Sequence, residues 1–135
     1  MMARVFTSSP PTVPAGESYE QASRAGDFIF LSGQVAKDEN RQWVGGDAAN
    51  QARQIWRNID RVLAHMGATK DDIAKITTIL TNVADREAVT AVRLDYLGDH
   101  RPPHTGLYVP VLGRPEISME IEVIAHVPEA KVSAT

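Results

Sequence analysis

The chain has 135 residues, with 14 basic and 17 acidic side chains, a formal net charge of −3 and no cysteine. A chain of this length forms one domain, 1–135, able to bury roughly two-thirds of the surface its unfolded form exposes. Without cysteine, disulfides, thiolate catalysis and cysteine-type zinc sites are excluded. The mixed charge provides no basic stripe for a nucleic-acid backbone. The opening MMARVFTSSPPTVPAG carries one basic residue and no apolar run, and no later segment approaches the roughly 18 apolar residues of a membrane span. A cytoplasmic protein, with no nucleic-acid or membrane partner, is expected.

Ala3 to Thr7 reads as a short extended piece, and the Ser/Pro cluster from Ser8 to Gly16 as a loop, because proline lacks the donor that a helix or central strand needs. SYEQASRAGD leads into a strand from Phe28 to Ala36 that Gly33 kinks or bulges. Lys37 to Gln42 is a polar turn, with Trp43 and Val44 returning as a short hairpin arm and Trp43 serving packing. From Asp47 to Met66 the period changes. Ala48, Ala52, Ile55, Ile59, Val62 and Met66 recur at three and four residues, which predicts a helix capped by Asp47 and closed by Gly67. Trp56, at the edge of that stripe, belongs to the core or an interface.

Ile73 to Thr81 is rich in branched residues and predicts a strand buried on much of both faces. A second helix spans Ala84 to Leu97, with Ala88 or Val89, Val92, Tyr96 and Leu97 inward, stopped by Gly98 and the Pro102-Pro103 pair. A strand from Thr105 to Val111 is interrupted by Pro110. The closing stretch from Ile117 to Val127 alternates strictly: Ile117, Met119, Ile121, Val123, Ala125 and Val127 on one face, Ser118, Glu120, Glu122, Ile124 and His126 on the other. PEAKVSAT is a tail. These elements predict an α+β fold, a mixed sheet with two helices packed on one face. Two helices cover one side only, so association through the apolar open face is expected.

Glu120 and Glu122 point the same way with Cα atoms roughly 6.5 Å apart, close enough to couple their ionisation and form an acid/base site. A wet strand face also carries glutamate for solubility alone. Gly45-Gly46 lacks the spacing and lysine of a phosphate loop, and Ser32 in LSGQ lacks the setting of a nucleophile elbow, which leaves it a hydrogen-bonding role. His100 and His104 cannot share a helix face across two prolines, so no metal site is expected. His65 and His126 read as structural or surface residues. His104, at a loop-to-strand junction beside Arg101, is placed to donate to an anion or a carbonyl, or is a plain loop histidine.

Ser18-Tyr19-Glu20-Gln21-Ala22 resembles a P-Y-x-Q-A signature, FLSGQ from Phe30 to Gln34 an S-G-Q strand, Asn50-Gln51-Ala52 and Asn58-Ile59 the polar positions of a first helix, and MEIEVIA from Met119 to Ala125 a closing V-E-I-E-A-I-A. Jointly and in order, these resemble the RidA family of reactive intermediate deaminases, also called the YjgF family. The resemblance implies a homotrimer with a chorismate-mutase-like barrel core, helices outside and ligand clefts between subunits. It further implies cofactor-independent hydrolysis of small enamines and imines to ammonia and a keto acid.

Carried over residue by residue, Glu120 matches the water-handling glutamate, Tyr19 a cleft-lining tyrosine, and Ser32-Gly33 the S-G-Q serine and glycine. Thr90 and Arg93 stand where deaminating members have Asn and Tyr. His104, in Pro102-Pro103-His104-Thr105, occupies the place of an arginine that grips the substrate carboxylate, a fork that imidazole does not reproduce. The alternative is a non-catalytic small-molecule-binding or interaction protein on the same trimer. A ribonuclease activity is disfavoured by the acidic charge.

Overall fold

The period-two segment at the end of the chain becomes the strand around which the sheet is assembled. The computed structural model describes residues 5–128. It contains β1 (Phe6–Ser8), β2 (Ala22–Ala25), β3 (Phe28–Leu31), α1 (Ala48–His65), β4 (Ile73–Leu80), α2 (Arg86–Leu97), β5 (His104–Tyr108) and β6 (Met119–His126). The sheet order is β1-β2-β3-β6-β4-β5. Every neighbouring pair is antiparallel except β4 and β5, which α2 joins as a parallel crossover.

Alternation decides which face is covered. Met119, Ile121, Val123 and Ala125 of β6 are buried, as are Ile76 and Leu80 of β4 and Ile29 of β3. They form one core with Ile55, Trp56, Ile59, Val62 and Leu63 of α1 and Val89, Val92 and Leu97 of α2. Each fully buried Val, Leu, Ile or Met among them contributes about 1.5–3 kcal/mol. The other face carries Phe28 and Phe30, which remain 45% and 42% exposed, with Ile79 and Ile124 half-buried beside them. The α+β sheet with two helices on one side is the predicted architecture.

Local chemistry explains the helix ends. The Asp47 carboxylate accepts from the amide of Asn50, and Gly67 adopts φ 83° just past the helix, a conformation that a side chain disfavours. Before α2, the Asn82 side chain accepts from Ala84 N in a short 3-10 turn, so the helix proper begins at Arg86 rather than Ala84.

Several expectations change. The first strand is Phe6–Ser8, and Ala3 and Arg4 of the expected piece lie outside the described residues, as does the tail beyond Pro128. A strand at Ala22–Ala25 went unpredicted, because its polar Ser23 and Arg24 obscure the alternation that pairing with β3 supports. β3 stops at Leu31, where Ser32 and Gln34 turn their hydrogen bonds to other segments. The Trp43 arm reduces to one bridge with Lys37, whose ammonium sits over the indole. β5 ends at Tyr108, ahead of Pro110.

Candidate active site

Two groups of candidate side chains form, one on each face of the sheet. Arg86, Thr90 and Arg93 recur at i, i+4 and i+7, so one face of α2 presents all three. With Thr78 of β4 and His104 and Tyr108 of β5 they bound a cleft of about 260 Å³ at the sheet edge. His104 Nε2 lies 2.7 Å from Arg93 Nη1 and 2.9 Å from Thr78 Oγ1. A guanidinium only donates, so Nε2 is the acceptor and the neutral ring keeps its proton on Nδ1.

Burial first, then the charges of Arg93 and Lys75, hold this imidazole below the usual histidine range. The expectation that His104 donates to an anion is thereby altered at Nε2, which is already engaged by Arg93. Arg101, expected beside it, turns its guanidinium to the carbonyls of Gly98 and His100.

The second group faces the other way. In antiparallel register Glu120 pairs with Ile79, whereas Thr78 pairs with Ile121, so Glu120 and Thr78 point to opposite faces. Glu120 packs over Gly33: a Cβ at that glycine would lie 2.0 Å from Glu120 Oε1, so only glycine permits this approach. Partial burial, and next the like charge of Glu122, push the Glu120 carboxyl above its usual range. Its carboxylate has no hydrogen-bond or ion-pair partner among the described residues.

A network fixes the backbone around it. Ser32 Oγ donates to Glu20 O at 2.8 Å, Gln34 Nε2 to Gln21 Oε1 at 2.7 Å, and Gln21 Nε2 to Pro14 O at 2.8 Å. Both glutamines are buried, and their amides satisfy one another instead of water. Tyr19, at the end of this network, is 55% exposed and lies against Gly16, where a Cβ would come within 2.5 Å of its ring.

Thus Gly33 and Glu120, with Ser32 next to them, lie on one side, Thr90 and His104 on the other, and no single copy of the chain brings the two together; Tyr19 packs on Gly16. Sequence reasoning did not place Thr78, Arg86 or Tyr108 in the site, and marked Arg93 only as a departure from the tyrosine of deaminating members. The spacing of Arg86, Thr90 and Arg93 along one helix face was the signal available for three of the four cleft residues α2 provides, Val89 being the other. A larger hollow of about 650 Å³ lies between α1 and α2. Its groups serve each other: Tyr96 Oη donates to Asp60 at 2.7 Å, Lys70 Nζ donates to Tyr96 O at 2.8 Å, and Trp56 stacks on Tyr96. It holds none of the candidate residues, so volume alone does not locate the chemistry. Among the described residues no group of three or more His, Asp or Glu side chains is arranged to hold a metal.

A profile of the family described as Endoribonuclease L-PSP matches residues 10–127. The chain belongs to that family, the RidA or YjgF family. Among RidA-family relatives, it is 31% identical over 119 residues to the 3-aminoacrylate deaminase RutC of Acinetobacter baylyi, spanning 87% of this chain and 90% of that protein. It is 29% identical over 112 residues to a Saccharomyces cerevisiae protein described as mitochondrial, spanning 83% and 77% of the two chains. A solved Rid-family structure from Yersinia pestis matches with a TM-score of 0.85 at 32% identity, covering 91% of this chain and 99% of that one. Among the described residues no helix is long and apolar enough to cross a membrane.

Proposed function

We propose that this RidA-family protein is a cofactor-independent hydrolase of small imines or enamines, working at a cleft between subunits of a homotrimer. The observation that carries the reading is the division of the candidate residues between two faces of one sheet, one of them an uncovered, half-apolar surface. Association over that surface buries Phe28 and Phe30 and sets the Glu120 patch of one copy against the α2–β5 cleft of the next. The named substrate of the Acinetobacter relative, 3-aminoacrylate, is itself an enamine bearing a carboxylate.

In the proposed reaction the enamine takes a proton on carbon and gives up one from nitrogen to become an imine. Glu120 orients a water, whose oxygen bonds to the imine carbon while the proton passes through the carboxylate to nitrogen. The carbinolamine then expels ammonia, leaving a carbonyl compound. A carboxyl held above its usual range, unpaired and seated over a glycine that admits it, suits a group that must both accept and return a proton. Tyr19, Ser32 and Gly33 bound the same end of the cleft, while Thr90 and His104 bound the other.

The test is ammonia release from a freshly generated imine. Purified protein accelerates it over buffer, and Glu120→Ala lowers the rate by about a hundredfold or more. No acceleration, with a small molecule bound but unchanged, would establish the alternative of a binding protein. The cytoplasm is the proposed compartment, and fractionation of the native protein tests it against the mitochondrial description of the yeast relative.

A further inference from the structure

Charge balance in the α2–β5 cleft points to what it holds. Arg86 and Arg93 line it, while Arg101 and Lys75 stand near enough to act on Arg93 and His104 respectively. No carboxylate is in the lining, although the whole protein is acidic, and neither Arg86 nor Arg93 has an ion-pair partner among the described residues. Arg61, by comparison, pairs with Glu39 at 3.1 Å, whereas Arg57, like Arg93, meets a neutral acceptor, Gln54 at 2.8 Å; what sets the cleft apart is that its arginines are gathered together with no acid among them.

Arg93 is only partly exposed, and it makes one side-chain contact, to the neutral acceptor Nε2 of His104. That nitrogen orients one Nη of a planar fork and leaves the remaining donors unmatched. Burial, then Arg101 and Arg86, act against its charge, an arrangement relieved by an anion.

We propose that Arg93 is the residue that grips a carboxylate group of the ligand, with His104 positioning its guanidinium rather than binding the ligand itself, and with Arg86 as the second cation of the same cleft. This rests on the reading of the cleft as one half of the ligand site, and it assigns the specificity of that half to a helix residue. A cleft of about 260 Å³ suits a small organic acid of few carbons.

Pyruvate, titrated into the native assembly by calorimetry with methyl pyruvate as the neutral control, tests this directly. Pyruvate binds and weakens with added salt. Arg93→Met weakens it by about tenfold or more, Arg93→Lys recovers part of the loss, and none of these changes alters the ester. His104→Gln, which keeps an acceptor for Arg93, stays close to the parent protein. His104→Leu loses severalfold, and that loss disappears when it is introduced into the Arg93→Met protein, as coupling through Arg93 requires and general disruption does not. Thermal melts of Arg93→Lys and Arg93→Met establish that both fold.

Pyruvate binding within twofold of the parent in Arg93→Met, an equal loss for acid and ester, or no pyruvate binding by the parent overturns the proposal. Ammonia release and pyruvate titration fail independently. Arg93-dependent binding without turnover removes the hydrolase reading alone, whereas turnover with unchanged acid-to-ester preference in Arg93→Met removes this inference alone.

Discussion

The α2–β5 cleft and the Glu120 patch are built from opposite electrostatics on opposite faces of one sheet. The cleft gathers cations without a balancing acid, and burial, then the charges of Arg93 and Lys75, holds its histidine below the usual range. The patch gathers two carboxylates, and there the carboxyl of Glu120 is held toward its protonated form by burial and by Glu122. Neither neutralises itself, and each lacks what the other has. A single copy keeps them apart, because adjacent strand positions, Thr78 and Ile79, send their partners to different sides. Complementary halves on one chain are the arrangement that repeated copies can complete.

The strongest way to break that comparison is to keep the copies apart. Phe30→Glu puts a charge on the uncovered face. Light scattering should then give one-third of the parent mass, with turnover abolished although both halves remain intact. Retained trimer with full turnover would place the association surface elsewhere.

Gly33→Ala comes next. Its Cβ overlaps Glu120 Oε1 and displaces the carboxylate, so kcat falls by about tenfold or more while KM changes little. An unchanged kcat would mean that Glu120 does not work from this position.

The smallest effect is on pH dependence. Because burial and Glu122 raise the Glu120 carboxyl, the acid limb of kcat/KM lies above the ordinary glutamate range, and Glu122→Gln moves it toward lower pH. The stability consequence has a definite sign. Folding disfavours ionised Glu120, so its penalty is present at neutral pH and vanishes as the pH falls below the unfolded glutamate value. Glu120→Gln therefore raises the melting temperature at pH 7 and leaves it unchanged in acid. The opposite sign at neutral pH would show that the carboxylate has a stabilising partner.

Much of the fold was legible because hydrophobic periodicity reports burial directly. The stripe of α1 and the alternation of β6 each name the side that packs, and Asp47 and Gly67 mark the ends of α1. β2 was not legible, since a four-residue strand with Ser23 and Arg24 at its centre is held by its neighbours β1 and β3 rather than by propensity. Of the candidate site, Tyr19, Ser32, Gly33 and Glu120 stood out through short motifs whose buried glutamines, Gln21 and Gln34, tie the loops together. Arg93 was visible only as an unusual residue on a helix.

The amino-acid sequence by itself determined the mixed sheet, the two helices, the apolar face of β6 and the family, because these follow from local period, capping and short motifs. Only the tertiary structure decided that His104 meets Arg93, that Gly33 admits Glu120, and that these two pairs lie on opposite faces. Contacts between residues distant in the chain depend on register and crossover. A shift of one residue in strand register would send His104 or Glu120 to the other side of the sheet.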